Sequence, residues 1–264
     1  MEAALRAIYT VWYRESLRLV RERSRLFGMI GQPLLYLLVV GQGISSAMGF
    51  RGAPAGLPLN YVQFMYPGIL AMSVLFTSVS SGISIIWDRE FGFLKEVLVA
   101  PVPRWATALG KVLGGSTVAM AQACILLCLA PVAQVSLNFI MVLKLLAILF
   151  LISLALTSFG VAIASHMQTM EGFQMIMNFL VMPLYFLSGA MFPMQSAPPW
   201  MALFMRLDPL TYGVDALRRV IYTGADPRVT AFLVRYNLTT DLSILLLVTI
   251  GLVILGTWSF SRQD

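Results

Sequence analysis

Apolar residues run without a single charge over six stretches of the chain, roughly 26–48, 61–87, 112–135, 145–165, 173–192 and 242–261. About 20 helical residues cross a hydrocarbon core about 30 Å thick, so each run has the length of one crossing. Lipid offers no partner to backbone N–H and C=O groups, which a helix satisfies within itself. The pattern therefore predicts an all-α, polytopic membrane protein with six transmembrane helices, forming one domain over 1–264. Spans one to five fall within 26–192 and span six at 242–261.

Ahead of the first run, Leu5, Ile8, Tyr9, Trp12, Ser16, Leu19 and Val20 recur at helical spacing, with Arg14, Arg18, Arg21 and Arg25 on the opposite face. This predicts an amphipathic interfacial helix over 1–25, its apolar stripe among acyl chains and its arginines at anionic head groups. Six crossings return both termini to one side, and the arginine cluster puts that side in the cytoplasm. No small-residue cleavage motif follows the first run, so the first span is expected in the mature protein.

Two connecting segments stand out. The inner one, Trp87 to Lys111, is charged and helix-forming until Pro101 and Pro103 stop it. Phe91, Leu94, Val97 and Leu98 give it a short apolar face suited to a partner's groove. The outer one, 193–241, opens on prolines and then mixes leucines with Asp208, Asp215, Arg218 and Arg219. Short helices that dip back toward the membrane, packed against protein, fit that mixture.

Composition agrees: 59% of residues are hydrophobic and 11% charged, against about 45–50% and about 25% in soluble domains. The net charge of +6 does not indicate nucleic acid, because the basic residues concentrate at the N-terminus and beside apolar runs. Cys124 and Cys128 sit inside an apolar run and read as ordinary span residues, and the lone histidine, His166, as a loop residue. No cluster of catalytic or metal-ligating groups emerges, and no GxxxxGK[ST] motif occurs. The runs lack the ionisable group that ion-driven transporters keep in a span, so energy for transport is expected from outside the chain. Sites built from backbone carbonyls keep an ion-coupled secondary transporter open as the alternative; a membrane-bound enzyme or scaffold is more distant.

The order and spacing of several short motifs carry a resemblance. They are Tyr66-Pro67-Gly68, Asp88-Arg89-Glu90, Glu96, Ala100-Pro101-Val102-Pro103-Arg104, Pro183, Leu187-Ser188-Gly189-Ala190, Phe192-Pro193, Pro199-Trp200 and the segment Asp208 to Arg218. Together they resemble the type 2 permease family of ATP-binding-cassette (ABC) exporters, which includes drug-resistance and polysaccharide or lipo-oligosaccharide exporters. Asp208 stands where relatives often carry Asn, and Phe93-Leu94-Lys95 where a Gly-Thr type sequence is common. The resemblance implies the transmembrane subunit of an inner-membrane exporter for an amphiphile. No cofactor is expected in this chain; ATP and Mg belong to cytoplasmic ABC ATPase partners. It further implies a second permease copy in a homodimer and an outer re-entrant hairpin. A coupling helix over 88–100 follows, with Asp88, Arg89, Glu90, Phe91, Leu94, Glu96, Val97 and Arg104 transmitting to the ATPase.

Inside the spans, Ser73, Thr77, Ser80, Ser81 and Ser84 form one hydroxyl stripe, and Gln174, Asn178, Met182 and Tyr185 another stripe bearing amides. Thr77, Ser80, Gln174, Asn178 and Tyr185 are the pathway candidates; close packing or interhelical hydrogen bonding is the other reading. Asp208, Tyr212, Asp215 and Arg218 are outer gate candidates, the alternative being solvated loop charges. Gly110 and Gly114 predict a packing notch at the start of the third span.

Overall fold

The computed structural model describes residues 2–21, 23–43, 60–92 and 102–262, and every regular element among them is helical. In chain order these are α1 (Glu2–Arg21), α2 (Arg23–Leu35) continuing as a π-helical stretch (Tyr36–Gly41), α3 (Tyr61–Ser80), α4 (Ile83–Glu90), α5 (Arg104–Cys128), α6 (Phe139–His166), α7 (Met170–Leu187), a 3₁₀ turn (Met194–Ser196), α8 (Pro199–Leu207), α9 (Pro209–Ile221), α10 (Pro227–Leu233) and α11 (Leu238–Ser261).

Several helix starts are written locally. Asn60 accepts from Val62 N–H while Gln63 reaches back to the Asn60 N–H, a capping box opening α3. Asn138 and Thr169 cap α6 and α7. Asp208-Pro209 and Asp226-Pro227 place a carboxylate cap before a proline at the first helical position, starting α9 and α10.

Helix α3 is buried along nearly its whole length. It packs on α5, α6, α7, α9 and the π-helical stretch, while α11 lies along α6 and α9 closes against α11, α6 and α3. Among the described residues five segments are long and apolar enough to cross a membrane: Tyr61–Glu90, Arg104–Cys128, Phe139–His166, Met170–Leu187 and Pro227–Ser261. The first expected run is apolar helix over Gly28–Gly41, shorter than these, and 44–59 lie outside the described residues.

Two close approaches fix the inner half. A Cβ on Gly110 would lie 2.8 Å from Val11 Cβ, and one on Gly114 2.6 Å from Glu15 Cβ. The notch predicted at these glycines exists, and its occupant is α1. The interfacial helix thus buries one face on α5, where Trp12 Nε1 donates to Thr117 Oγ1 at 2.9 Å. Leu5, Tyr9 and Val20 stay exposed. The second span is interrupted at Ser81–Gly82, between α3 and α4. There a Cβ on Gly82 would sit 2.6 Å from the Gly160 carbonyl oxygen, and one on Gly160 would strike the Val79 carbonyl. The two backbones cross in direct contact, which glycine alone permits.

The coupling helix expected over 88–100 does not begin at Asp88. Asp88, Arg89 and Glu90 instead complete α4, the continuation of the second span, and the chain turns at Phe91–Gly92. Leu94, Glu96 and Val97 lie outside the described residues.

Candidate functional site

A cavity of about 590 Å³ opens between α1, the α3–α4 segment, α5 and α7. Its wall carries Ser80, Ser81 and Ser84 of the second span, Gln174 and Asn178 of α7, and Glu15, Arg18, Trp87 and Lys111. Phe76, Phe173, Met177 and Val181 supply apolar surface. A second cavity of about 360 Å³ shares Phe76 and Ser80 and continues along Ser73 and Thr77 to Gln32 and Gln122.

The predicted stripes divide. Ser80, Gln174 and Asn178 share the larger cavity. Thr77 lines the neighbouring one and bonds Gln122, whose Nε2 donates to the Met29 carbonyl at 2.9 Å. Thr77 is therefore also an interhelical link. Tyr185 is buried near the C-terminal end of α7, its hydroxyl 3.1 Å from Met191 Sδ, and lines neither cavity. Gln174 and Asn178 are exposed in the single chain, on a face of α7 otherwise formed by Met175, Phe179 and Met182.

Where α1 crosses the start of α5, four charges alternate in a closed ring. Arg14 Nη2 meets Asp88 Oδ2 at 2.7 Å and Glu15 Oε1 at 3.2 Å. Lys111 Nζ meets the same two oxygens at 2.5 and 3.2 Å and donates to Ser84 Oγ at 3.0 Å. Lys111 is 4% exposed, and its three N–H bonds all find acceptors, the condition under which a buried ammonium is tolerated. Burial works against the Glu15 carboxylate, but Lys111 and Arg14 outweigh it and hold its pKa below the ordinary range. Beside the ring, the Arg18 guanidinium lies 3.9 Å over the Trp87 ring.

Of the expected coupling residues, Asp88 belongs to this ring. Arg89 donates to the Met167 and Ser165 carbonyls at the C-terminal end of α6, where a cation suits the helix dipole. Arg104 reaches the Ser261 carbonyl at the end of α11, 3.3 Å away. Glu90 and Phe91 are exposed, Phe91 by 82%.

The outer residues are not solvated loop charges. Asp208, Asp215 and Arg218 are all buried. Arg218 Nη2 donates to the Gly189 carbonyl at 2.7 Å and to Ala190 at 3.4 Å, with its guanidinium 4.4 Å over the Phe64 ring. Burial lowers its pKa to about 10, so it remains a cation at neutral pH. Asp215 accepts from the Arg235 N–H at 2.9 Å and the Tyr236 N–H at 2.8 Å, holding α9 to the chain entering α11. Tyr212 donates to the Arg206 carbonyl at 2.8 Å. Asp208 caps α9 through Oδ1, while Oδ2 has no hydrogen-bond partner among the described residues, and burial raises its pKa to about 7. Tyr212, Asp215 and Arg218 tie α9 to three different neighbours, while Asp208 caps α9 itself.

Sequence reading missed Glu15, Lys111 and Asp241. Asp241 begins α11, is 0% exposed, and neither carboxylate oxygen has a hydrogen-bond partner among the described residues. Glu15 shares a helical face with Ile8, Val11 and Trp12, the face that the Gly110/Gly114 notch receives, a pairing that only the packed helices reveal. Among the described residues no group of three or more His, Cys, Asp or Glu is placed to hold a metal ion.

The family model described as ABC-2 type transporter matches residues 6–222. Similar proteins include the ycf38 transport permeases of Cyanophora paradoxa, 30% identical with 81% of this chain and 73% of the relative covered, and of Porphyra purpurea, 26% identical with 84% and 75% covered. The inner membrane transport permease YadH of Escherichia coli strain K12 is 27% identical, with 80% of this chain and 81% of the relative covered. A match over that span, on an all-helical chain with five apolar helices of crossing length, leads to one assignment: the chain belongs to the ABC-2 type transporter family, as a multi-pass inner-membrane transport permease whose membership implies ABC ATPase subunits as partners.

Proposed function

We propose that this chain forms the translocation pathway of an exporter for an amphiphile taken from the cytoplasm or the inner leaflet, while separate ATPase subunits bind and hydrolyse ATP with Mg. The observation that carries the reading is the cavity wall, where Ser80 meets Gln174 and Asn178. Amides exposed to lipid are costly. A cavity filled by water or substrate, shared with a second copy across the α7 face, satisfies them and favours a homodimer. In this reading the chain crosses six times with both termini cytoplasmic. Asp88, Arg89, Glu90, Phe91, Leu94, Glu96, Val97 and Arg104 engage the ATPase, Thr77 and Ser80 continue the pathway, and α9, braced by Asp208, Tyr212, Asp215 and Arg218, is the outer gate.

Co-purification with the cognate ABC ATPase, followed by ATPase and transport assays over a panel of amphiphiles, tests the proposal. Stimulation by some amphiphiles, with Asn178→Leu changing which ones, is the expected result. A stable pair that transports none of them overturns the reading. A variant with unchanged preference assigns Asn178 to packing instead.

A further inference from the structure

The ring of charges joins three elements that are distant in sequence. Arg14 and Glu15 belong to α1, Asp88 lies in the last turn of α4, and Lys111 lies two turns into α5. Each ion touches two of the opposite sign, so removing one leaves its neighbours under-paired around the buried Lys111, while Glu15 and Asp88 are largely buried and Arg14 is partly exposed; the penalty exceeds that of losing a fully exposed pair. The backbones around the ring are also in contact, through Gly110, Gly114 and the Trp12–Thr117 hydrogen bond. Sliding α1 on α5, or α4 on either, requires the ring to break. Just beyond it, the interruption at Ser81–Gly82 separates α4 from the rest of the second span. Three participants, Glu15, Ser84 and Lys111, are also cavity wall.

We infer that the Arg14–Glu15–Asp88–Lys111 ring is a positioning latch: it makes α1, α4 and the start of α5 one rigid body, so that a displacement of α4 at its C-terminal end reaches the cavity wall instead of being absorbed locally. The source of that displacement rests on the transporter reading above; the rigid body does not. Ionised carboxylates are a requirement, and the depressed pKa of Glu15 meets it at physiological pH.

The test uses the full chain in lipid nanodiscs, alone and with its cognate ATPase. Lys111→Met leaves two carboxylates sharing Arg14 alone; Lys111→Met with Glu15→Gln removes one of them without restoring the ring. In the single variant, α1 amides are expected to exchange hydrogen about ten-fold faster, and substrate moved per ATP to fall about ten-fold. The double variant should regain thermal stability yet keep fast exchange and poor coupling, which a merely structural role does not predict. Coupling that returns together with stability overturns the inference, as does wild-type protection of α1 in Lys111→Met. Should Lys111→Met fail to fold, the double variant and Glu15→Gln alone carry the same comparison. If the wild-type pair transports nothing, the transporter reading fails, and exchange in α1 still decides the rigid body.

Discussion

The cap of α9 makes the protein's stability depend on pH in a direction opposite to that of most carboxylates. Asp208 is buried, accepts a single hydrogen bond from the Leu210 N–H at 2.9 Å, and has its pKa raised from 3.8 to about 7 by burial. Because the folded pKa lies above the unfolded one, the folded state binds the extra proton between these values. Its contribution is therefore complete below 3.8, is lost as pH rises toward about 7, and is constant beyond. At about 1.4 kcal/mol per pH unit, moving from about pH 5 to about pH 8 costs the fold about 3 kcal/mol. With about 2–4 °C per kcal/mol for a chain of this size, Tm should fall by about 6–12 °C over that range. Asn at 208 keeps a cap acceptor and removes the titration, so Asp208→Asn should melt with a flatter pH profile and gain on the wild type at alkaline pH. Thermal unfolding of both proteins in nanodiscs, at several pH values, measures this. A wild-type slope retained in Asp208→Asn would refute the assignment of the titration to this cap.

Three further outcomes are expected. Gly160→Ala, whose new Cβ strikes the Val79 carbonyl, should lower stability by about 1–3 kcal/mol in the same melting assay, and an unchanged melt would mean the crossing can spread freely. Arg218→Leu strips the donor from the Gly189 and Ala190 carbonyls; a loss of about 1–3 kcal/mol and faster hydrogen exchange around 188–190 should follow, and unaltered exchange would show that this turn holds without it. Cysteines placed singly at 95 and 225, with Cys124 and Cys128 replaced, should react with an impermeant reagent on intact cells only at 225; labelling at 95 alone would invert the proposed topology.

Local rules made much of this protein legible from its sequence. The apolar runs forecast an all-helical chain because an uncharged stretch of about 20 residues has few alternatives in lipid. The Asp-Pro pairs at 208–209 and 226–227 mark helix starts because cap and proline act on the nearest turn. The glycine notch at 110 and 114 was visible as a notch, though not what fills it. Charge placement is where sequence and structure part. Asp88, Lys111 and Asp241 each stand one residue outside an apolar run, where a charge reads as the rim of a membrane span. All three are instead inside helices, with Lys111 and Asp241 deeply buried.

What decided the difference is long-range. Lys111 is tolerable only because Glu15, 96 residues away, and Asp88, 23 residues away, are brought to it by the packing of three helices. Nothing in the residues around 111 encodes those partners. The amide stripe is similar: spacing put Gln174, Asn178 and Tyr185 on one face, but only the packed bundle could separate the two amides at a cavity from the tyrosine near the C-terminal end of α7. Sequence by itself determined which segments are helical, since that depends on neighbours within a few residues. The tertiary structure decided which charges are paired and which polar groups share a wall, since the desolvation of a charge depends on the groups that other helices set against it.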